Sequence, residues 1–220
     1  MSHYLEPTHS RSQFQIERIA FFSDAVIAIA LTLMILEMKI PELGEHTSIK
    51  QIIDKYEKPF LLHGLALFLG FSSIGNLWMQ HHKLFEHIIK YNDRLIKINL
   101  YFLFTVMLLP ISISFLFADN EPPYLKFLFY FSNLFLCNFS YTLMLFVIYS
   151  KKNNFSSLKN EEEINIIKRR SLLVSLAFFV AVVLLLFQTG WWYFVFFIFP
   201  AIRLFTMVRR GILELAKSSN

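Results

Sequence analysis

An arginine, a serine and an aspartate stand at the mouth of a long apolar run: Arg18-Ile-Ala-Phe-Phe22-Ser23-Asp24 leads without a break into Ala25-Val-Ile-Ala-Ile29-Ala-Leu-Thr32-Leu33-Met-Ile-Leu36. Ionisable groups at the edge of a spanning helix are costly, and they mark ion pathways or anchoring pairs. A carboxylate there must find a cation, a hydroxyl or water. Arg18 and Ser23 are at hand on the same helix. A second apolar run supplies further donors where it ends, in Asn76-Leu-Trp78-Met-Gln80-His81-His82-Lys-Leu-Phe85, and Asn99 follows at the same depth. The competing reading is a simple helix start, with Ser23 or Asp24 as N-cap, Arg18 snorkelling to the headgroups, and Trp78 with the histidines as an interfacial belt. His81 and His82 point about 100° apart and cannot both ligate one metal without distortion, so one faces the ionic cluster and the other the headgroups. Cys137, the only cysteine, lies in an apolar run and is expected to be a packing residue, with no disulfide or metal site.

The elements that position these groups follow from composition. Hydrophobic residues make up 55% of the 220 residues and charged residues 17%, with 26 phenylalanines, which describes a polytopic all-α membrane protein. Runs near the ~17–25 residues needed to cross a bilayer are Ile19–Met38, Pro59–Met79, Leu95–Phe117, Tyr124–Tyr149, Leu172–Phe187 and Trp191–Val208. The expectation is six transmembrane helices, the last two a tight hairpin through Gln188-Thr189-Gly190. Residues 1–17 form an N-tail with no apolar core, so no cleaved signal peptide is expected, and 18–220 form one membrane domain.

Placing the N-tail, the 80–97 and 150–171 connections and the C-tail on one side puts 16 of the 21 basic residues there and leaves 5 opposite. Both termini are therefore expected in the cytoplasm, at the cell membrane. The net charge of +5 is explained by topology and lipid headgroups, and no nucleic-acid partner is expected. Residues 42–58 read as an amphipathic stretch able to lie on the outer surface. In 151–171, Glu161-Glu162-Glu163 precedes Lys168-Arg169-Arg170, the order that suits the dipole of a short helix leading into the fifth span. Pro110 can kink the third span.

On the first helix Ala25, Ile29, Thr32 and Leu36 share one stripe, with Leu33 beside it, and Asp24 lies roughly 140° away from Ile29. One face is almost purely apolar and the other carries the ionic anchor. The stripe either faces lipid and other helices or is offered to an axis.

These residues resemble the transmembrane protein 175 family of potassium channels, in particular its prokaryotic members. The resemblance rests on Arg18-x-x-x-Phe22-Ser23-Asp24 with the helix that follows it, on Trp78-x-x-His81-His82-x-x-Phe85, and more weakly on Leu-Leu-Pro110, where the family's usual Phe and Thr are replaced by Ile111-Ser112. It covers the first three spans well; the remaining three match in length and number. It implies a homotetramer with the first helix lining a central potassium-permeable pore, and no carbonyl filter, in agreement with the absence of a Thr-Val-Gly-Tyr-Gly segment. It further implies a constriction at Ile29 with Leu33 and Leu36 as outward layers, and cation selection at Thr32. Arg18, Phe22, Ser23, Asp24, Trp78, His82 and Asn99 would anchor the pore helix from behind. Glu37 and Glu42 at the outer end could concentrate cations.

Two other classes remain in view. His63, His81 and His82 on one aromatic-rich helix suggest haem or quinone chemistry, but the later spans supply no opposed histidine. A proton channel or proton-coupled carrier using Asp24 and a histidine is the stronger rival. Neither an enzyme nor a resident cofactor is expected, only permeant potassium and membrane lipid.

Overall fold

In the computed structural model, residues 11–36, 49–118 and 122–187 are described, and every described helix belongs to one all-helical bundle. The elements are α1 (Arg11–Leu36), α2 (Ile49–Phe85), α3 (Asp93–Met107), α4 (Leu109–Leu116), α5 (Pro123–Ile148) and α6 (Glu161–Leu186). Among the described residues, four stretches are long and apolar enough to cross a membrane: Gln13–Ile35, Asp93–Leu116, Pro123–Ile148 and Glu161–Leu186. The apolar run expected at 59–79 lies within α2. The run Trp191–Val208, the N-tail before residue 11, and Glu37 and Glu42 lie outside the described residues.

Two boundaries differ from expectation. Residues 49–58 are not a separate surface helix: they are the first turns of α2, which continues unbroken through Pro59. Once a helix is nucleated, each further residue adds a hydrogen bond at little cost, so an amphipathic stretch abutting a span joins it. The same reason extends the fifth span back to Glu161, because Asn160 caps the helix there, its Oδ1 accepting from the backbone N–H groups of Glu162 and Glu163. The three acidic residues then occupy the first turn, where the helix dipole favours them.

The third span is broken at Leu108, two residues before Pro110, which has no N–H to continue the ladder. Ser112 repairs the break by giving both its backbone N–H and its hydroxyl to the Leu108 carbonyl. Asn133 on α5 donates to the Ser112 hydroxyl at 2.6 Å, so the discontinuity is held by a neighbouring helix.

α5 is the central element, packed on α3, α4 and α6, and the main contact of α6 among the described helices is with α5. Thr142 on α5 meets Ser171 and Ser175 of α6 at 2.7 and 2.9 Å, a hydroxyl cluster that sets their register. α1 packs against α2, α3 and α4. The Met34 side chain of α1 fills the space beside Gly70 of α2, where an added Cβ would run into its methyl and sulfur and into the tip of Ile113. Gly70→Val should therefore lower stability by about 1–3 kcal/mol through overpacking. Gly75→Ala, at a position with open space, should be neutral or slightly stabilising. Thermal unfolding in detergent checks both, and equal melting temperatures for the two variants would refute tight packing of Met34 and Ile113 against Gly70.

The connections after α2 and after α5 are stitched together. Ile88 and Ser156 form an antiparallel bridge, with Ile89 N–H donating to the Phe155 carbonyl and Ser157 N–H to the His87 carbonyl, both at 2.8 Å. The two basic connections therefore sit at the same end of the bundle, as the charge distribution requires.

Candidate functional site

The side of α1 that faces its own chain is the row Ile16, Ser23, Ile27, Ala30 and Met34, all buried. The row's spacing of three and four residues, doubled once, is one helical face. Ser23 is the polar member of that row, and its burial is tolerated because every hydrogen bond is made. Its hydroxyl donates to the Ile19 carbonyl at 2.8 Å and accepts from Asn99 Nδ2 at 2.9 Å. The Asn99 amide oxygen in turn lies 2.8 Å from His81 Nε2. An amide oxygen only accepts, so Nε2 carries the proton and the order of donation runs from α2 through α3 to α1. The His81 ring stacks on Phe85 and Phe102, with centroids 4.2 and 5.4 Å away. Three helices are thereby joined by one fully satisfied polar chain in an apolar interior.

Beside it runs a second, more exposed tie. Trp78 Nε1 donates to Asp24 Oδ1 at 2.9 Å, across 54 residues of sequence. A carboxylate acceptor makes this bond stronger than a neutral one.

Three residues expected in this cluster make none of its hydrogen bonds. His82 is exposed; its ring stacks on Trp78 and its Nε2 lies 3.3 Å from Glu86 Oε1. His81 takes the inward place because it continues the buried row Ile74, Leu77, His81, Leu84 and Ile88, a pattern visible in the sequence. Arg18 does not meet Asp24: six residues along a helix is about 240° of rotation, and its guanidinium lies over the Phe14 ring at 6.0 Å. Phe22 points outward and is 53% exposed. The pairs Ser112–Asn133 and Thr142–Ser175 lie outside the sequence expectation, although polar residues inside an apolar run are the signal that marks them.

The opposite face of α1 is uncovered. Ala25, Ile29 and Thr32 are exposed and Leu33 is half-buried, with Ile29 at 54%. Thr32 gives its hydroxyl hydrogen to the Ile29 carbonyl at 2.8 Å, which leaves the oxygen lone pairs directed away from the helix. Leu36 ends α1, and its side chain lies outside the described residues. Among the described residues no group of histidine, cysteine and carboxylates could hold a metal ion.

The family model for the endosomal/lysosomal potassium channel TMEM175 matches residues 18–110, the stretch that contains every residue of this anchor. Over this segment the chain is similar to the TMEM175 family. It is similar to a potassium channel of Chryseobacterium sp. (strain P1-3), with 35% identity over 107 residues, covering 47% of this chain and 52% of that protein. The endosomal/lysosomal proton channel TMEM175 of Gallus gallus is 39% identical over 82 residues, covering 34% of this chain and 16% of that one. The chain's matches thus span about half the length of such TMEM175 relatives or less. The TMEM175 fold reaches further than the matched sequence. A crystal structure of a lysosomal potassium-selective channel TMEM175 homolog from Chamaesiphon minutus superposes with a TM-score of 0.68 at 21% identity, covering 87% of this chain and 98% of that one. A variant of the potassium channel MtTMEM175, crystallised in complex with a nanobody–MBP fusion protein, gives a TM-score of 0.67 at 20% identity, covering 94% of this chain and 99% of that one.

Proposed function

We propose that this chain is the subunit of a homotetrameric, potassium-permeable cation channel of the cell membrane, with both termini in the cytoplasm and α1 lining the pore. The observation that carries this reading is the two-sidedness of α1. One face is locked to α2 and α3 through Ser23 and Asp24, and the other presents Ala25, Ile29 and Thr32 with no covering element among the described residues of its own chain. Four copies turn each of those residues into a ring. A ring of Ile29 side chains, layered with Leu33 and Leu36, excludes water by dewetting and closes without leaving a polar group unpaired. Thr32, whose hydroxyl hydrogen is already engaged, offers oxygen lone pairs that replace part of an ion's hydration. Bacterial relatives named potassium channels support the choice of ion.

A second reading, proton conduction, is favoured by the vertebrate relatives named proton channels. One experiment separates the two. Purified protein is reconstituted in liposomes loaded with potassium and diluted into sodium, with a pH-sensitive dye reporting proton uptake. Quenching that requires an added protonophore is the expected result and means a potassium-selective conductance. Quenching without the protonophore means a proton path, and no quenching in vesicles that respond to valinomycin refutes a potassium-selective channel.

A further inference from the structure

At the basic end of the bundle, a groove of about 480 Å³ opens between the start of α3 and the end of α5. Its apolar wall is Ile98 from α3 with Leu143 and Phe146 from α5, and its mouth carries Arg94 and Lys152, both exposed. Phe146 is 45% exposed, and a third cation stands against it: Lys168 of α6 holds its ammonium 5.4 Å from the ring centre while donating to the Tyr149 carbonyl. The turn that presents Lys152 is fixed rather than loose, because Asn153 Nδ2 donates to the Val147 carbonyl at 2.8 Å and Asn154 takes a left-handed backbone with φ of 50°.

The charges around the mouth are unbalanced. Of the nearby acids, Glu161 is engaged by Lys151 and Asp93 is the first residue of α3. Lys97 adds a further exposed cation to the same helix. A site that is cationic at one end and apolar along its length is complementary to an amphiphile with an anionic head, and its volume is in the range of sites that hold small molecules. Free phosphate would satisfy the mouth but leave the wall wet. The position at the basic membrane edge is where an anionic leaflet attracts lysine and arginine.

We propose that this groove binds one anionic phospholipid, with the phosphate between Arg94 and Lys152 and an acyl chain along Ile98, Leu143 and Phe146. Arg94's bidentate fork suits phosphate oxygens, and Lys152 acts as a second point charge. The bound lipid bridges α3 to the turn after α5, and α3 also carries Asn99 of the anchor that holds α1.

The test uses the full chain purified in detergent and native mass spectrometry with phosphatidylglycerol or phosphatidylcholine of the same acyl chains. The wild type should retain phosphatidylglycerol several-fold over phosphatidylcholine. R94Q/K152Q should abolish that preference, and Leu143→Trp, which fills the groove and leaves the charges in place, should reduce phosphatidylglycerol retention. K83Q/K90Q, which removes charge from the same end outside the groove, should leave both values unchanged. Equal retention of the two lipids by the wild type would overturn the proposal, as would an undiminished preference in R94Q/K152Q. Displacement of phosphatidylglycerol by an equal concentration of glycerophosphoglycerol would also overturn it, because the occupant would then be a free anion.

Discussion

Replacing Ile29 by asparagine is expected to raise current through the reconstituted protein and to erode its preference for potassium over sodium. In the tetrameric reading, Ile29 contributes four aliphatic side chains to the narrowest ring, where water is excluded because nothing in the ring can hydrogen-bond to it. An amide of similar length supplies donors and acceptors, so the constriction wets and an ion keeps more of its shell as it passes. Lowering that barrier by only ~1.4 kcal/mol raises flux about tenfold. Selectivity falls for the same reason, since an ion that stays hydrated is discriminated less by its size. Ile29 is 54% exposed and contributes nothing to the buried core of its own chain, so the substitution leaves folding intact. The measurement is single-channel or vesicle flux under potassium and sodium gradients. Unchanged current and reversal potential would mean that Ile29 does not line the pore.

The second large effect is expected at Asn99. Asn99→Leu removes the acceptor of the His81 Nε2 proton and the donor to Ser23 at one stroke, in the middle of three packed helices. Ser23 retains its bond to the Ile19 carbonyl, so the main loss is the buried imidazole N–H, and leaving such a donor unmade costs about 1–3 kcal/mol. Interhelical hydrogen bonds in membranes average only about 0.6 kcal/mol when both partners are free to find substitutes. The higher figure applies here because His81 is 1% exposed and clasped between Phe85 and Phe102, which leaves the ring little room to turn toward another partner. His81→Phe together with Asn99→Leu removes both polar groups and keeps the ring stack. The double variant should be less destabilised than the sum of the singles, with a coupling of about 1 kcal/mol in a thermal double-mutant cycle. Strict additivity would mean that the two side chains do not depend on each other. In the tetrameric reading the assembly should loosen alongside, because Ser23 is where α1 is held against α3.

The effects at Ile29 and Asn99 are expected to differ in kind because α1 has two faces. In the pore reading proposed above, a substitution on the exposed face changes what passes along the helix, and a substitution behind it changes whether the helix is held in place. Trp78 and Asp24 belong to the second class, although their bond is solvent-accessible and its loss should cost less than that of the buried chain.

How much of this is legible in the sequence differs from residue to residue. Ser23, Asp24, Trp78 and Asn99 stand out as polar groups in apolar runs, and they do meet. Residue type and depth put His82 with them, and its ring does stack on Trp78, but they ignore direction; the apolar row Ile74, Leu77, Leu84 already points to His81 as the partner of Asn99. Proximity in sequence pairs Arg18 with Asp24, yet about 240° of helical rotation separates them. The break at Leu108 is announced by Pro110, but its repair by Ser112 and Asn133 involves a residue 21 positions further on, which no local pattern reveals.

By itself the sequence determined that this is a helical membrane protein, where its apolar runs lie, which end of the bundle is basic, and the relative directions of side chains on each helix. Those follow from the cost of burying backbone and charge in hydrocarbon and from the fixed step of about 100° per residue along the helix. The tertiary structure alone decided the absolute rotation of each helix, and hence that His81 rather than His82 faces Asn99, that α1 turns Ile29 and Thr32 outward, and that Arg94 and Lys152 flank one groove. Rotation about a helix axis is set by which neighbour a side chain can pack or bond against, and that neighbour comes from a distant part of the chain.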